Sequence, residues 1–260
     1  MNIVSTRLMG GLGNMLFQIS TAFAISIRDK KEFICDTSDM IIPHNSYQYY
    51  TENIFRKIRF SNEIKDFVHV SEKGFNFSQI DNYQNNMRLN GYFQSEKYFK
   101  DFRDEILNLF EIDIVTKKYL KEKYQKILEK DTCSLHVRRG DYLHLNDFHP
   151  PQTIDYYKKS IEIIGEEKEF LIFSDDLHWC EEELSFIKNK TLIKDNKDFQ
   201  DLYLMSMCKN NIIANSSFSW WGAWLNTQSD KKVIAPKIWF GEKNAHLLTD
   251  DLYCDKWILI

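Results

Sequence analysis

Residues 132–142 read Thr-Cys-Ser-Leu-His-Val-Arg-Arg-Gly-Asp-Tyr, and the order of elements that begins here decides the fold. Its first six residues predict a buried strand. Beyond them, short apolar runs of strand length alternate with amphipathic stretches of helical length as far as Ala235. Strands that alternate with helices indicate βαβ units and a parallel sheet, so we expect an α/β fold.

The same alternation is weaker in the first half of the chain, especially over His44–Gln84. We therefore predict two α/β lobes, residues 1–125 and 126–260, joined around residues 115–130. Strands are expected at Ile3–Met9, Glu32–Cys35, Met87–Phe93, Thr132–Val137, Phe170–Phe173, Thr191–Lys194, Asn211–Ala214 and Lys232–Ala235, and helices at Asn14–Arg28, Thr116–Lys130, Ile154–Ile164, Leu177–Lys188, Asp198–Met207 and Phe218–Leu225.

Composition excludes several classes of protein. The 260 residues are 43% hydrophobic and 28% charged, as in ordinary globular domains. The net charge is −4 and no long Lys/Arg run occurs, so no nucleic-acid partner is expected. Five cysteines without a C-x-x-C pair indicate neither a disulfide framework nor a cysteine zinc site.

Targeting signals are also lacking in the sequence. The first residues do not have the basic and then apolar layout of a signal peptide. No apolar run approaches the ~20 residues that span a bilayer. We expect a cytoplasmic protein, and weak peripheral attachment to the inner face of the membrane is compatible with this sequence.

The first loop that could carry chemistry is Gly10-Gly11-Leu12-Gly13-Asn14, between a predicted strand and helix. Its glycines allow close backbone approach to a ligand, and a helix N-terminus favours an anion. The loop is neither a dinucleotide fingerprint, because Leu16 replaces the third glycine, nor a P-loop. A plain strand–helix turn is the alternative.

The second loop, Arg138-Arg139-Gly140-Asp141, follows the strand quoted above. Ligands of parallel sheets bind outside the carboxyl ends of the strands. Arginine holds phosphate bidentately and keeps its charge, so this loop predicts a diphosphate site, with Asp141 orienting one guanidinium. The alternative is an ion pair in a surface turn.

The third loop is Asn215-Ser216-Ser217-Phe218, which opens the helix that carries Trp220, Trp221 and Trp224. Serine hydroxyls and free helix N–H groups suit a phosphate. Alternatively, Ser216 or Ser217 is simply an N-cap. We expect the three tryptophans to be core residues.

Acidic side chains near these loops could select guanine, since one carboxylate accepts two N–H bonds from its N1 and N2 edge. Asp175 and Asp176 end one predicted strand, and Asp201 lies in the helix before the serine loop. As alternatives, Asp176 is a good N-cap and Asp201 a solvated helix residue.

Together these motifs resemble the α-1,2-fucosyltransferase family in its short bacterial form. The resembling segments are Gly10–Gln18, Gly91–Phe99, His136–Tyr142, Phe173–Asp176 and Asn215–Asn226. The resemblance implies a GT-B-like fold, two Rossmann-like lobes with the active site in the cleft between them. It implies inverting transfer from GDP-fucose, held mainly by the second lobe, to a galactose-terminated glycan on the side of the first lobe.

The resemblance also implies roles for particular residues. Arg138 would contact the β-phosphate with Arg139 beside it, while Ser216, Ser217 and Phe218 would close over the diphosphate. His136 and Asp201 would contact guanine, which favours Asp201 over Asp175 for the base. Asn14 would face the reaction centre, next to the donor-binding glycines Gly11 and Gly13. Met15 stands where many members carry glutamine.

No general base is carried over by the resemblance. Asp141 is the first candidate, followed by Asp147, with His144 and residues 43–85 also open. We predict no metal cofactor, because no D-x-D triplet occurs and the arginines can supply the charge. The alternatives in function are a transferase for another GDP-sugar, a protein O-fucosyltransferase-like activity, and a nucleotide-sugar-binding protein without catalysis.

Overall fold

A computed structural model describes residues 2–38 and 47–260 of the chain. Residues 43–46, part of the irregular segment in which a general base was sought, lie outside the described ranges. The chain divides into two compact units: Met1–Asp113 with Leu247–Cys254, and Ile114–His246 with Asp255–Ile260. The division falls ahead of the expected one at residues 125–126, because the helix that begins at Ile114 packs within the second unit.

Among its described residues, the first unit contains a parallel sheet and two α-helices. Its elements in chain order are β1 (Ile3–Thr6), α1 (Leu12–Arg28), β2 (Glu32–Phe33), β3 (Cys35–Asp36), β4 (Phe60–Ser61), β5 (Val68–Ser71), β6 (Met87–Asn90) and α2 (Arg103–Leu109). Four strands form a parallel sheet in the order β2-β1-β6-β5, and β3 pairs with β4. The pair β3–β4, strand β5 and helix α2 were not predicted.

Helix α1 begins at Leu12, two residues before the predicted start, with Gly11 at its N-cap. Gly10 has φ +76°, and a Cβ there would lie 2.5 Å from Nδ2 of Asn14. Only glycine fits this backbone and this approach. The turn therefore brings Gly13 and Asn14 into the first helical turn, at the carboxyl end of β1.

The second unit is a longer series of strands and helices. In chain order it contains α3 (Ile114–Leu128), β7 (Thr132–Val137), α4 (Ile154–Ile164), β8 (Glu169–Ser174), α5 (Leu177–Glu183), β9 (Lys190–Leu192), α6 (Asp198–Met207), β10 (Asn210–Ile212), α7 (Ser217–Trp224), β11 (Val233–Ala235) and β12 (Ile258–Leu259). The predicted strands and helices of this half are confirmed with shifted ends, whereas β12 was not predicted.

The six strands of this unit are all parallel, in the order β12-β11-β10-β7-β8-β9. The order reverses between β7 and β10, where Leu135 pairs with Ile212. This is the strand order of a Rossmann sheet, in which ligands bind at the point of reversal. The α/β class and the Rossmann-like units expected of a GT-B-like fold are thus confirmed.

Helix α7 packs its tryptophans inward, as predicted. Trp220, Trp221 and Trp224 are buried. A Cβ at Gly222 would lie 2.9 Å from both Cβ and Sδ of Met205, so α6 and α7 approach closely at this glycine. The close packing fixes where α7 begins relative to α6.

Helix α5 ends at Glu183, earlier than the predicted Lys188, because the chain turns at Leu184. Leu184 and Ile187 remain buried after the turn, so the apolar spacing that suggested a longer helix continues into non-helical backbone. Within the described ranges, no helix has the combination of length and apolar character that crossing a membrane would require.

Candidate active site

The strand reversal brings two of the predicted loops to the same edge of the second unit's sheet. The arginine loop leaves β7 and the serine loop leaves β10, and these strands are hydrogen-bonded neighbours. The Tyr142 hydroxyl donates to the Asn215 carbonyl at 3.0 Å, and the rings of His136 and Phe218 lie 5.7 Å apart. The two loops therefore form one site.

Arg138 is held between two carboxylates. Nη2 contacts Oδ1 of Asp141 at 2.8 Å, and Nη1 contacts Oδ2 of Asp175 at 2.9 Å. Its guanidinium also lies 5.6 Å from the centre of the Tyr142 ring, with 31% of the side chain exposed. The predicted orienting contact of Asp141 is confirmed, and the charge of Arg138 stays accessible to an anion.

Arg139 makes different contacts. Nε donates to Asp176 at 3.2 Å, and the guanidinium lies 4.1 Å from the centre of the Trp179 ring, with 18% of the side chain exposed. Its backbone N–H donates to Asp175 at 2.9 Å. Arg139 thus anchors the loop to the start of α5, and the structure supplies it with protein partners on both sides.

The two carboxylates after β8 have structural roles that the sequence did not reveal. Asp175 accepts from both arginines, and a Cβ at Gly140 would lie 2.8 Å from its Oδ2. Asp176 is the N-cap of α5 and accepts from the Trp179 N–H at 3.1 Å. The N-cap alternative for Asp176 is correct, and both residues are occupied as arginine partners.

His136 is the last but one residue of β7 and is buried. Burial lowers its pKa to about 3, and the neighbouring positive charge of Arg138 contributes in the same direction. The imidazole is therefore neutral at pH 7. Its Nδ1 has no hydrogen-bond partner among the described residues, so a polar edge of a ligand would satisfy it.

The serine loop leaves a helix N-terminus open. Ser216 occupies the N-cap position of α7, but its hydroxyl makes no capping bond. The first N–H groups of a helix have no intrahelical partner, so those of Ser217 and Phe218 face outward with a partial positive charge. Asn215 anchors the loop by donating to the carbonyls of Pro150 and Trp239 at 3.0 Å each.

Asp201 lies in the first turn of α6 and is mostly buried. Burial raises its pKa to about 6, while a 2.9 Å hydrogen bond from the Asn196 amide opposes the rise. No hydrogen bond between the described residues joins Asp201 to the arginine or serine loop. The solvated alternative for Asp201 is wrong, because the carboxylate is largely removed from water.

Gly11, Gly13 and Asn14 belong to the first unit. Oδ1 of Asn14 accepts from Nε2 of Gln94 at 2.8 Å. Gln94 lies in one of the segments that carried the family resemblance, but no role had been assigned to it. It joins the loops that follow β1 and β6, which are neighbouring strands.

The candidate bases occupy different surroundings. Asp141 pairs with Arg138, whereas Asp147 pairs with Lys243 at 2.9 Å and is 63% exposed. His144 is exposed and ends the short helical turn after Asp141. Across residues 2–38 and 47–260, no three His, Cys, Asp or Glu side chains cluster in a way that could hold a metal ion.

Comparisons with known proteins match this architecture. The family model described as glycosyl transferase family 11 matches residues 2–260. The Escherichia coli O-antigen biosynthesis glycosyltransferase WbnK is 34% identical over 300 aligned positions, covering 96% of this chain and 98% of WbnK. An alpha-1,2-colitosyltransferase of Escherichia coli is 31% identical over 291 positions, covering 100% and 99%.

Among solved structures, the fucosyltransferase NodZ from Bradyrhizobium has a TM-score of 0.58 and 12% identity, covering 85% of this chain and 92% of NodZ. The fold and the matched family together define a glycosyltransferase built on Rossmann-like units. The chain belongs to glycosyl transferase family 11.

Proposed function

We propose that the protein is an inverting α-1,2-fucosyltransferase that moves L-fucose from GDP-β-L-fucose to the 2-hydroxyl of a terminal galactoside in a glycan. The observation that carries the proposal is the accessible Arg138 guanidinium at the strand reversal of a family 11 glycosyltransferase, held by Asp141 and Asp175. A full positive charge at this point of a Rossmann sheet suits a nucleotide diphosphate.

The diphosphate would lie between the two loops. Arg138 is oriented by its carboxylates and would neutralise the β-phosphate, since its fork of donors matches phosphate oxygens. The open N-terminus of α7 adds the hydroxyls of Ser216 and Ser217 and the N–H of Phe218. Arg139 would support this site mainly by fixing the loop to α5.

The guanine of the donor would be recognised by two side chains, one neutral and one negatively charged. Neutral His136 offers a ring nitrogen, Nδ1, that has no hydrogen-bond partner in the described part of the chain. The Asp201 carboxylate, when ionised, accepts from N1–H and the N2 amino group of guanine. NodZ, whose fold this chain shares, has been co-crystallized with GDP.

The chemistry is a single displacement at the anomeric carbon. The acceptor hydroxyl oxygen forms the new bond to that carbon as its bond to the β-phosphate oxygen breaks, and the hydroxyl proton leaves to a base. GDP departs with the bonding electrons, so charge develops on the phosphate that Arg138 faces. Asn14 is proposed to act at the reaction centre, with Gly11 and Gly13 shaping its loop, and Asp141 is the first candidate for the base.

A second donor sugar is favoured by a specific observation. The 31% identity to an alpha-1,2-colitosyltransferase extends over the whole chain. A colitosyl donor would keep the nucleotide contacts and change only those to the sugar. Competition between the fucose and colitose nucleotides in one assay separates the two activities.

The test of the proposal is product analysis. Purified protein is incubated with GDP-fucose and a panel of galactosides, and products are examined by mass spectrometry and NMR. We expect an α-fucoside at the galactose 2-hydroxyl. GDP binding without turnover of either donor would favour the binding-protein alternative, and transfer only to peptides would favour a protein O-fucosyltransferase-like activity.

A further inference from the structure

Asn196 lies in the turn between β9 and α6, where a group of side chains from α3 converges on its amide. Three donors point at one oxygen: Oδ1 of Asn196 accepts from the Tyr119 hydroxyl at 3.2 Å, Lys123 Nζ at 2.9 Å and the Tyr124 hydroxyl at 3.1 Å. Lys123 also donates to the Tyr119 hydroxyl at 2.9 Å, which joins these donors into a network. The orientation of the amide is therefore determined by α3.

Because the oxygen faces these donors, the amide nitrogen must face the other way. Nδ2 of Asn196 donates to Oδ1 of Asp201 at 2.9 Å. Rotating the amide by 180° would set an N–H group against the Lys123 ammonium, which can only donate, and an oxygen against the Asp201 carboxylate. The network thus directs one hydrogen bond to Oδ1 of Asp201.

The charges around Asp201 come from both helices that pack there. Asp198 on α6 disfavours its ionised form, whereas Lys123 on α3 and the Asn196 amide favour it. Burial raises the pKa of the Tyr124 hydroxyl, and the negative charge of Asp201 contributes in the same direction. Burial is the largest influence on the pKa of Asp201 and raises it. The hydrogen bond from Asn196 is the largest influence that lowers this pKa and so favours the ionised carboxylate.

We propose that Asn196 is a positioning residue for guanine selection: held by Tyr119, Lys123 and Tyr124, it orients the Asp201 carboxylate toward the N1 and N2 edge of the base. This inference rests on the proposed function, in which Asp201 binds guanine. A network that only tied α3 to the turn before α6 would stabilise the fold without affecting which base is bound.

The experiment separates these roles with two matched variants. Asn196→Asp keeps an oxygen for the α3 donors but replaces the donor that faces Asp201 with a second oxygen. Tyr124→Phe removes one bond from α3 and leaves the bond to Asp201. Binding of GDP and of IDP, which lacks the N2 amino group, is measured by calorimetry at pH 8, with melting temperatures as a check of folding.

We expect Asn196→Asp to weaken GDP binding by about tenfold, the scale of losing one hydrogen bond to a charged group. IDP binding should change less, so the preference for GDP over IDP shrinks. Tyr124→Phe should keep the preference of the natural protein. Asn196→Ala, which removes both sets of bonds, should show the same loss of preference and serves if Asn196→Asp does not fold.

The Asp201→Asn variant distinguishes failure of this inference from failure of the proposed function. Unchanged GDP affinity in Asp201→Asn overturns both the base contact and the role of Asn196. If Asp201→Asn weakens GDP binding while both Asn196 variants keep the natural preference for GDP over IDP, only the positioning role is overturned.

Discussion

Arg138 and Arg139 are adjacent in sequence but have different surroundings. Arg138 is the more exposed and is oriented by two carboxylates, whereas Arg139 stacks on Trp179 and pairs with the N-cap of α5. Neutralising a leaving group needs an accessible charge, and fixing a loop needs a buried one. Under the proposed function, Arg138 would take the first of these tasks and the less exposed Arg139 the second.

Arg138→Lys keeps the charge but loses the bidentate fork. We expect kcat/KM to fall by at least ~100-fold, the scale of removing one transition-state donor, while the melting temperature changes little. Steady-state kinetics with GDP-fucose measures the effect. Arg139→Lys is the matched control, and its main effect should be a lower melting temperature. Near-natural activity in Arg138→Lys would contradict the assignment of the leaving-group contact.

Donor binding should weaken in acid because of Asp201. Its pKa is raised to about 6 in the folded protein. Above that pH the carboxylate is ionised and, in the proposed contact with guanine, would accept two N–H bonds, whereas below it the group is protonated and loses acceptor capacity. We expect the affinity for GDP-fucose to fall as pH decreases through about 6.

Calorimetry from acidic to neutral pH checks this expectation. GDP-fucose is the right ligand, because its diphosphate is esterified at both ends and has no proton to gain near this pH. His136, with a pKa of about 3, stays neutral throughout. The control Asp201→Asn should bind weakly and without this pH dependence. If the affinity of the natural protein for GDP-fucose stays constant across this pH range, Asp201 is not the group that recognises guanine.

Which residue contacts could be predicted depended on their separation in sequence. The pair Arg138–Asp141 was predictable, because three residues within one turn bring the side chains together. The partner Asp175 lies on the next strand, and its contact requires Val137 to align with Ser174 in the sheet register. Likewise, Gln94 reaches Asn14 only because β1 and β6 are neighbours.

At the scale of elements, the proposed donor site requires α6 and α7 to approach closely. A methyl group at Gly222 would meet Met205 at 2.9 Å, and part of that contact is with Cβ, which cannot rotate away. We expect Gly222→Ala to lower the free energy of unfolding by about 1–3 kcal/mol, as overpacking does. GDP affinity should fall as well, since α6 carries Asp201 and α7 begins at the serine loop.

Chemical denaturation and calorimetry measure the two effects of Gly222→Ala. Ser219→Ala is the control on the same helix, because it adds no atom and removes only long hydrogen bonds of 3.3 and 3.5 Å. It should keep both stability and affinity. If both variants lose stability and affinity equally, α7 is sensitive to any substitution. That result would contradict a specific role of Gly222 in setting the distance between the helices.

The elements of the second unit were the more predictable ones for a physical reason. Strands β7 and β8 are covered on both faces: every residue of β7 is buried, and β8 contains a continuous apolar run over Phe170–Phe173. In the first unit, β5 alternates between half-buried and exposed residues and includes a histidine, while β3 and β4 have two residues each. Such short or polar strands are stabilised by their neighbours and leave little local pattern.

At the scale of the whole molecule, two features could not be predicted from the sequence. They are the order of the strands in the second unit's sheet and the return of Leu247–Cys254 to the first unit. Alternating strands and helices indicate a parallel sheet, but not that the order reverses between β7 and β10. The return of Leu247–Cys254 to the first unit depends on contacts such as the Phe77 N–H to Asp251 at 3.0 Å. These pairings join residues far apart in sequence and leave no periodic signal.

The charge balance of the reaction bears on the whole enzyme. In the proposed reaction, the departing GDP would gain negative charge, and a divalent cation or fixed positive groups would have to stabilise it. A cation would require carboxylates that are free to bind it. In the described site, Asp141, Asp175 and Asp176 already pair with arginines, while Arg138 and the open N-terminus of α7 present positive charge.

We therefore expect transfer to proceed without a divalent ion. Metal-stripped enzyme should keep its rate in excess EDTA, because the groups that stabilise the leaving phosphate belong to the protein. Added Mn²⁺ should change the rate only a few-fold, by binding released GDP or by ionic effects. Arg138→Ala supplies the informative control: if Mn²⁺ restores its activity, the cation is substituting for the guanidinium. Natural enzyme that loses activity in EDTA and regains it with Mg²⁺ or Mn²⁺ would show that its carboxylates release the arginines to bind a metal.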